Sequence, residues 1–192
     1  MMISDSNNPN IPIDSASIED VAIESLPVKI LFVCLGNICR SPTAHAVFEQ
    51  KVSAQGLDQF FMVDSAATGA WHIGCAPDRR TSKIAAKHGY PMDHLRARQV
   101  CAGDFNQFDY MLAMDKNNLR ELEALSSSLN QEGGQCRATL ALFLPFSGCS
   151  SIDEVPDPYA GKDADFEQVL SIVERAVQQL VEVMKRNHLS SI

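Results

Sequence analysis

The sequence predicts an α/β fold: a doubly wound, four-stranded parallel sheet with helices on both faces. Three observations carry this. Short, near-continuous apolar runs, the pattern of strands covered on both sides, recur along the chain. Stretches with helical spacing separate them, so strands and helices alternate. The chain then closes on a long amphipathic segment in which Val169, Ile172, Val173, Ala176, Val177, Leu180, Val181 and Met184 keep the i, i+3, i+4, i+7 rule.

Val28-Lys29-Ile30-Leu31-Phe32-Val33 opens the core as the first strand. The short loop Cys34-Leu35-Gly36-Asn37-Ile38-Cys39-Arg40 follows, and Ser41-Pro42 reads as an N-cap with proline in the first helical position. Ala44, Val47, Phe48 and Val52 carry that helix onward. Phe60-Phe61-Met62-Val63 is the second strand, leading into a loop over 64–69. Residues 79–88 form a helix stopped by Gly89. The run from Asp109 to Met114 is the third strand, with Asp115 at its carboxyl end and a helix over 116–126. Polar, glycine-containing residues 126–135 read as a surface loop, and Thr139 to Phe143 as the last strand.

At 192 residues, 45% hydrophobic and 21% charged, the chain suits one soluble domain. A net charge of −8 argues against nucleic acid, whose binders need a basic footprint. No apolar run reaches the ~18 residues that a membrane-spanning helix needs, so membrane insertion is not expected. The charge is uneven. Residues 1–26 hold five of the 24 acidic residues and none of the 16 Lys and Arg. Rich in Ser, Asn and Pro, that segment reads as a disordered acidic extension, ahead of a domain over 27–188. It has neither the basic start nor the apolar stretch of a signal peptide. The six cysteines are too sparse for a disulfide framework, and the closest pair, Cys34 and Cys39, is wrongly spaced for structural zinc. Reduced thiols in a cytoplasmic setting are expected, with no cofactor and no metal.

The loop after the first strand carries the chemistry. In open α/β sheets ligands bind beyond the carboxyl ends of strands, which is where Cys34 stands. Successive N–H groups leading onto a helix N-terminus form an anion nest. Gly36 allows the tight backbone, and Arg40 offers a planar fork for two phosphate oxygens. The same positive field favours the Cys34 thiolate. A nucleophile inside an anion cradle points to attack on phosphorus. The C-x5-R spacing alone is weak; the strand before it and the Ser-Pro helix start after it make it specific. A nucleotide P-loop is excluded because Gly-Lys-Ser/Thr is missing, and a thioredoxin site because C-x-x-C is missing. Asp157 sits in the stiff loop Val155-Pro156-Asp157-Pro158, a suitable mount for an acid but equally readable as a turn aspartate.

Cys34-Leu35-Gly36-Asn37-Ile38-Cys39-Arg40-Ser41-Pro42 resembles the signature of the low-molecular-weight protein tyrosine phosphatases. The resemblance runs on through Val63 to Thr68, Ala97 to Val100, Met114-Asp115 with Asn118-Leu119, Asp157-Pro158-Tyr159 and Asp163 to Glu167, covering about 28–187. It implies hydrolysis of phosphotyrosine monoesters through a cysteinyl-phosphate, without a metal. Cys34 would be the nucleophile, Arg40 the anion clamp and Asp157 the general acid. Leu35, Gly36, Asn37, Ile38, Cys39 and Ser41 would line the phosphate site, with Ser41 bonding the Cys34 sulfur. Trp71 and Tyr159 would wall a slot for a phosphorylated ring. Ser65 would help Asn37 hold the loop, Asp115 would brace Arg40, and His94 would support the loop. Cys39 resembles the second cysteine with which the family protects its nucleophile through a reversible disulfide. The implied partner is a phosphotyrosine-containing protein, a tyrosine kinase among the candidates.

Three departures stand out. Ala160 follows Tyr159 where many members have a second tyrosine. His45 occupies a position often acidic in relatives and reads as part of a solvated face. His94 lies one residue further from Ala97-Arg98-Gln99 than in several relatives. His72, His88 and His188 read as surface residues without partners. Two other activities use the same scaffold. Arsenate reductase needs resolving cysteines about seven residues apart, which Cys101 and Cys136 do not supply. Protein-arginine phosphatases resemble this loop but have threonine at the position of Ile38. A phosphopeptide-binding module without catalysis would keep Arg40 but need not keep Cys34, Ser41 and Asp157 together.

Overall fold

A computed structural model describes residues 26–149 and 151–189; all but the last residue of the acidic extension lies outside them. The central strand β1 (Val28–Cys34) pairs in parallel with β2 (Phe61–Ala67) on one side and β3 (Tyr110–Ala113) on the other. β4 (Thr139–Leu142) adds parallel to β3, giving the order β2-β1-β3-β4. β1 is central because both its faces are apolar. Successive side chains of a strand alternate between faces. Ile30 and Phe32 accordingly join one core, and Leu31 and Val33 join the other.

The larger core lies under α1 (Arg40–Ser53), α2 (Arg79–Lys87), α5 (Phe143–Ser147) and α6 (Asp163–His188). Phe32 sits at its centre, edge-on to Phe48 and Phe143. α6 supplies Val169, Val173, Ala176, Val177, Leu180, Val181 and Met184, the stripe read from its periodicity. The smaller core lies under α3 (Asp104–Gln107) and α4 (Lys116–Gln131), through Phe105 and Leu122. Helices therefore cover both faces of a four-stranded parallel sheet.

Several elements differ from the sequence expectation. β2 runs on to Ala67, because Ser65, Ala66 and Ala67 pair with Phe32, Val33 and Cys34; a small-residue stretch that lacks the usual strand formers is carried by its neighbour. Phe60 closes a short 3₁₀ turn (Asp58–Phe60) instead. α4 continues through Gln131, where a loop from Ser126 was expected. Leu122, Ser126 and Leu129 keep helical spacing against the sheet, and Ser127 Oγ donates to the Glu123 carbonyl at 2.8 Å. The helix ends at Gln131, and just past its cap Gly133 takes a φ of +82° that a side chain would resist. Phe143 leaves β4 to begin α5, which together with α3 is too short for a periodic signal. Ser41 is not an N-cap: α1 begins at Arg40, with Cys39 at the cap position. Pro42 is still tolerated, since first-turn N–H groups have no partner inside the helix. Among the described residues, no helix is long and apolar enough to cross a membrane.

Phe32 is fully buried between two rings and two layers. Phe32→Ala is expected to lower stability by about 3–5 kcal/mol in denaturant unfolding. A loss below about 1 kcal/mol would mean that this layer is loosely packed.

Candidate active site

β1 delivers Cys34 to the carboxyl edge of the sheet, and β2 fixes the chain beyond it. Thr68 N donates to the Cys34 carbonyl and Gly69 N to the Leu35 carbonyl, both at 2.9 Å. Cys34 Sγ lies 3.0 Å from Ser41 Oγ and accepts from Asn37 N at 3.2 Å. The sulfur thus faces a hydroxyl and a backbone donor, and Ser41 can serve it because it sits in the first turn of α1 with its side chain turned inward.

Asn37 takes φ +53°, a left-handed conformation rare outside glycine and asparagine. Its side chain explains why it stays there. Nδ2 donates to Ser41 Oγ and to Ser65 Oγ, both at 2.9 Å, and Oδ1 accepts from Arg98 N at 3.0 Å. Arg98 is itself pinned, by Asp64 at 2.8 Å and Asp104 at 2.9 Å. Ala67 N donates to the Arg98 carbonyl and Val100 N to the Ala67 carbonyl, so the segment docks on the end of β2.

Arg40 is buried, with Nη1 donating to Asp115 at 2.5 Å and Nη2 to Asp157 at 2.7 Å. Burial pulls its pKa down, but the charges of Cys34 and Asp157 and the bond to Asp115 more than offset this and hold it above the usual value. Asp115 also caps α4 by accepting from Asn118 N at 2.8 Å. The Asp157 loop is tied to the sheet where Val155 N donates to the Met114 carbonyl at 2.8 Å. Asp157 then accepts from Tyr159 N at 3.1 Å. Arg80 holds the far side through the carbonyls of Tyr159 and Gly161.

These parts enclose a cavity of about 140 Å³. Cys34 and Arg40 are its most deeply buried polar members. Leu35, Gly36, Ile38 and Cys39 form one side, and Trp71, His72 and Tyr159 the aromatic wall, with Asp157 beside them. Trp71 is 73% exposed and lies directly over Gly69, where a Cβ would come within 1.8 Å of its ring. Glycine at 69 is therefore what lets the indole stand there. The ring centroids of His72 and Tyr159 lie 6.4 Å apart.

A model of the family described as low molecular weight phosphotyrosine protein phosphatase matches residues 29–190. The chain belongs to this family. The human low molecular weight phosphotyrosine protein phosphatase is 41% identical over 159 residues, covering 83% of this chain and 97% of that one. The Schizosaccharomyces pombe relative of the same name is 43% identical over 140 residues, covering 72% and 85%. The crystal structure of YfkJ from Bacillus subtilis superposes with a TM-score of 0.74 at 34% identity, covering 84% and 97%. That of DARP, a drosophila arginine phosphatase, superposes with 0.76 at 31% identity, covering 82% and 98%.

In this phosphatase the three remaining histidines expected at the surface, and His45, all have partners. His72 lines the cavity and packs near Gly36. His88 meets Glu167 and His188 meets Tyr110. His45 is not on a solvated face: it is 5% exposed, with Nδ1 3.3 Å from Ser65 Oγ and Nε2 3.3 Å from Glu49. His94 does not touch the loop. Its Nε2 lies 3.0 Å from Glu49, and it reaches Ser65 only through Glu49 and His45. It is His45 from α1, not His94, that stands next to Ser65. Burial would raise the Glu49 carboxyl, but the bonds and charge of His45 and then His94 hold it below its ordinary value. Arg98, Gly69 and His72 were not singled out from the sequence; only the Ala97-Arg98-Gln99 match hinted at the first.

Burial pushes the Cys39 thiol up to about 12, with the charges of Asp78 and Cys34 adding to the effect. A protonated thiol is a weak nucleophile, so exchange with an oxidised Cys34 requires Cys39 to ionise first. Iodoacetamide at pH 7.5 is expected to label exposed Cys75 and Cys101 while sparing buried Cys39; labelling of Cys39 as fast as Cys75 would show that burial does not protect it. Peptide mapping reads this directly. For the loop, Asn37→Gly removes the three side-chain bonds but keeps the left-handed backbone accessible, whereas Asn37→Ala loses both. Both should lower kcat by about tenfold or more through loop misplacement. Asn37→Ala should cost about 1–2 kcal/mol more stability than Asn37→Gly. Equal unfolding midpoints would remove strain at Asn37 from the account.

Proposed function

We propose that the protein hydrolyses phosphotyrosine monoesters in proteins through a cysteinyl-phosphate intermediate on Cys34, with no metal in the reaction. The observation that carries this is the placement of Cys34 Sγ, Arg40 and Asp157 around one aromatic-walled cavity, with Ser41 Oγ 3.0 Å from the sulfur. Loop N–H groups from Leu35 to Ser41 and the Arg40 guanidinium would hold the three non-bridging oxygens and stabilise the charge gathered on them in the transition state. The Cys34 thiolate attacks phosphorus, the bond to the tyrosyl oxygen breaks, and Asp157 gives that oxygen its proton. In the second step the Asp157 carboxylate takes a proton from water. The resulting nucleophile attacks phosphorus, the S–P bond breaks, and Ser41 bonds the departing thiolate. Asp115 keeps Arg40 oriented throughout, so that its fork meets the phosphate in one geometry.

The ring-lined wall of Trp71, His72 and Tyr159 favours a flat aryl ester, which gains contact with aromatic faces that a seryl side chain lacks. Phosphotyrosine-bearing proteins, tyrosine kinases included, are the proposed partners. A cytoplasmic setting belongs to the same proposal, because a thiolate nucleophile needs a reducing compartment. The similarity to an arginine phosphatase supports a second reading, phosphoarginine hydrolysis, for which the apolar Ile38 in the cavity wall is the point of divergence.

Matched phosphotyrosine, phosphoarginine and phosphoserine peptides decide between these. Phosphotyrosine should be hydrolysed fastest, Cys34→Ser should abolish release, and chelators should leave it unchanged. A preference for phosphoarginine would replace the first reading by the second. Asp157→Ala should lower kcat by about 10²–10⁴-fold for aryl phosphates with poor leaving groups, and much less for good ones. Equal losses for both classes would remove Asp157 from the acid role.

A further inference from the structure

We infer that His45, Glu49 and His94 form a binding site for zinc or a similar borderline divalent transition metal, separate from the reacting atoms. His45 and Glu49 are one helical turn apart on α1, so their side chains share a face. His94 approaches the same point from the loop after α2, with its ring 88° to that of His45. Glu49 stands between them, 3.3 Å from His45 Nε2 and 3.0 Å from His94 Nε2, and all three ligand atoms lie within 4.8 Å of one another. Tetrahedral zinc with bonds of about 2.0–2.2 Å needs donor atoms ~3.3–3.5 Å apart, so small side-chain shifts satisfy it. Two imidazoles and a carboxylate suit zinc, cobalt or nickel and leave a fourth position for water; they do not suit magnesium or calcium, which prefer all-oxygen shells.

Two further features favour a ligand over a plain ion-pair cluster. His45 keeps its second nitrogen, Nδ1, beside Ser65 Oγ at 3.3 Å and Asp64 at 3.9 Å, the outer-shell support that fixes a metal-binding imidazole in one tautomer. The burial is graded: His45 is buried, Glu49 half-buried and His94 open to solvent, which supplies both a rigid ligand and an entry path. A metal here would be wired to the phosphate loop, because Ser65 also accepts from Asn37. It would clamp the His94 loop to α1 and so hold that chain of bonds in place.

Zinc is titrated calorimetrically into the full-length protein, into Cys34→Ser, and into His94→Ala and Glu49→Gln, with melting temperature and the visible spectrum of the cobalt form as second readouts. One zinc per chain should bind to the wild type and to Cys34→Ser and raise the melting temperature of both. His94→Ala and Glu49→Gln, at exposed or half-exposed positions that leave the core intact, should each weaken binding at least tenfold and lose the thermal shift. The cobalt spectrum should lack the thiolate charge-transfer band, and magnesium should give no shift. Undiminished affinity in His94→Ala, a thiolate band, or loss of binding in Cys34→Ser alone would place the metal on cysteine and overturn the inference. So would the lack of any thermal shift at 1 mM zinc, a level about a thousandfold above a micromolar Kd. None of these outcomes depends on which phosphoester the enzyme cleaves.

Discussion

The side-chain amide of Asn37 is the tie on which the rest of the site depends. A left-handed residue at the third position beyond β1 sets its own N–H onto the Cys34 sulfur. Without compensation such a residue would relax. Here Ser41, Ser65 and Arg98 together compensate it, and each comes from a different element: α1, β2 and the segment docked on the end of β2. The loop's shape is therefore a property of the whole sheet edge. Moving any of those elements by an ångström would move the sulfur.

Charge is arranged with equal economy. The chain is acidic overall, yet its centre is one buried guanidinium between Asp115 and Asp157. The two carboxylates differ in surroundings. Asp115 is 18% exposed and doubles as a helix cap, so it is fixed; Asp157 is 43% exposed on its proline-flanked loop. A fixed partner suits orientation of Arg40, and a more open one suits proton exchange with a ligand and water. A net charge of −8 is a property of the whole chain, whereas screening confines the reach of exposed charges to about 10 Å, so a single phosphoryl group would answer to the local field.

Much of the fold was legible because hydrophobic periodicity reports burial directly. β1, β3 and α6 are the clearest cases, since their apolar residues face two cores or one continuous stripe. What failed did so for identifiable reasons. The extension of α4 past Ser126 was hidden by polar residues on its outer face, although Leu122, Ser126 and Leu129 keep the spacing. The end of β2 was hidden by Asp-Ser-Ala-Ala, which forms a strand only because β1 offers a ladder. Ser41 looks like a cap in one dimension and lies beside the Cys34 sulfur in three, since α1 starts two residues earlier, at Arg40 rather than Pro42. His45 and His72 carry no local signal at all: one is buried by β2 and the His94 loop, the other is placed in the cavity beside Tyr159.

The sequence by itself determined the order of the four strands and of the longer helices between them, the glycine-bearing loop between Cys34 and Arg40, and the family resemblance that assigned Asp157 a role. These follow from local chemistry: side-chain alternation, a glycine-bearing turn and a helix start need no distant partner. Tertiary structure alone decided which residues answer one another. The bonds of Asn37 to Ser65 and Arg98, of Arg40 to Asp115 and Asp157, and of Glu49 to His94 span between 28 and 117 positions of sequence. Such pairs form only where the parallel sheet brings separate strand ends to one edge, and no local pattern in the chain encodes that distance.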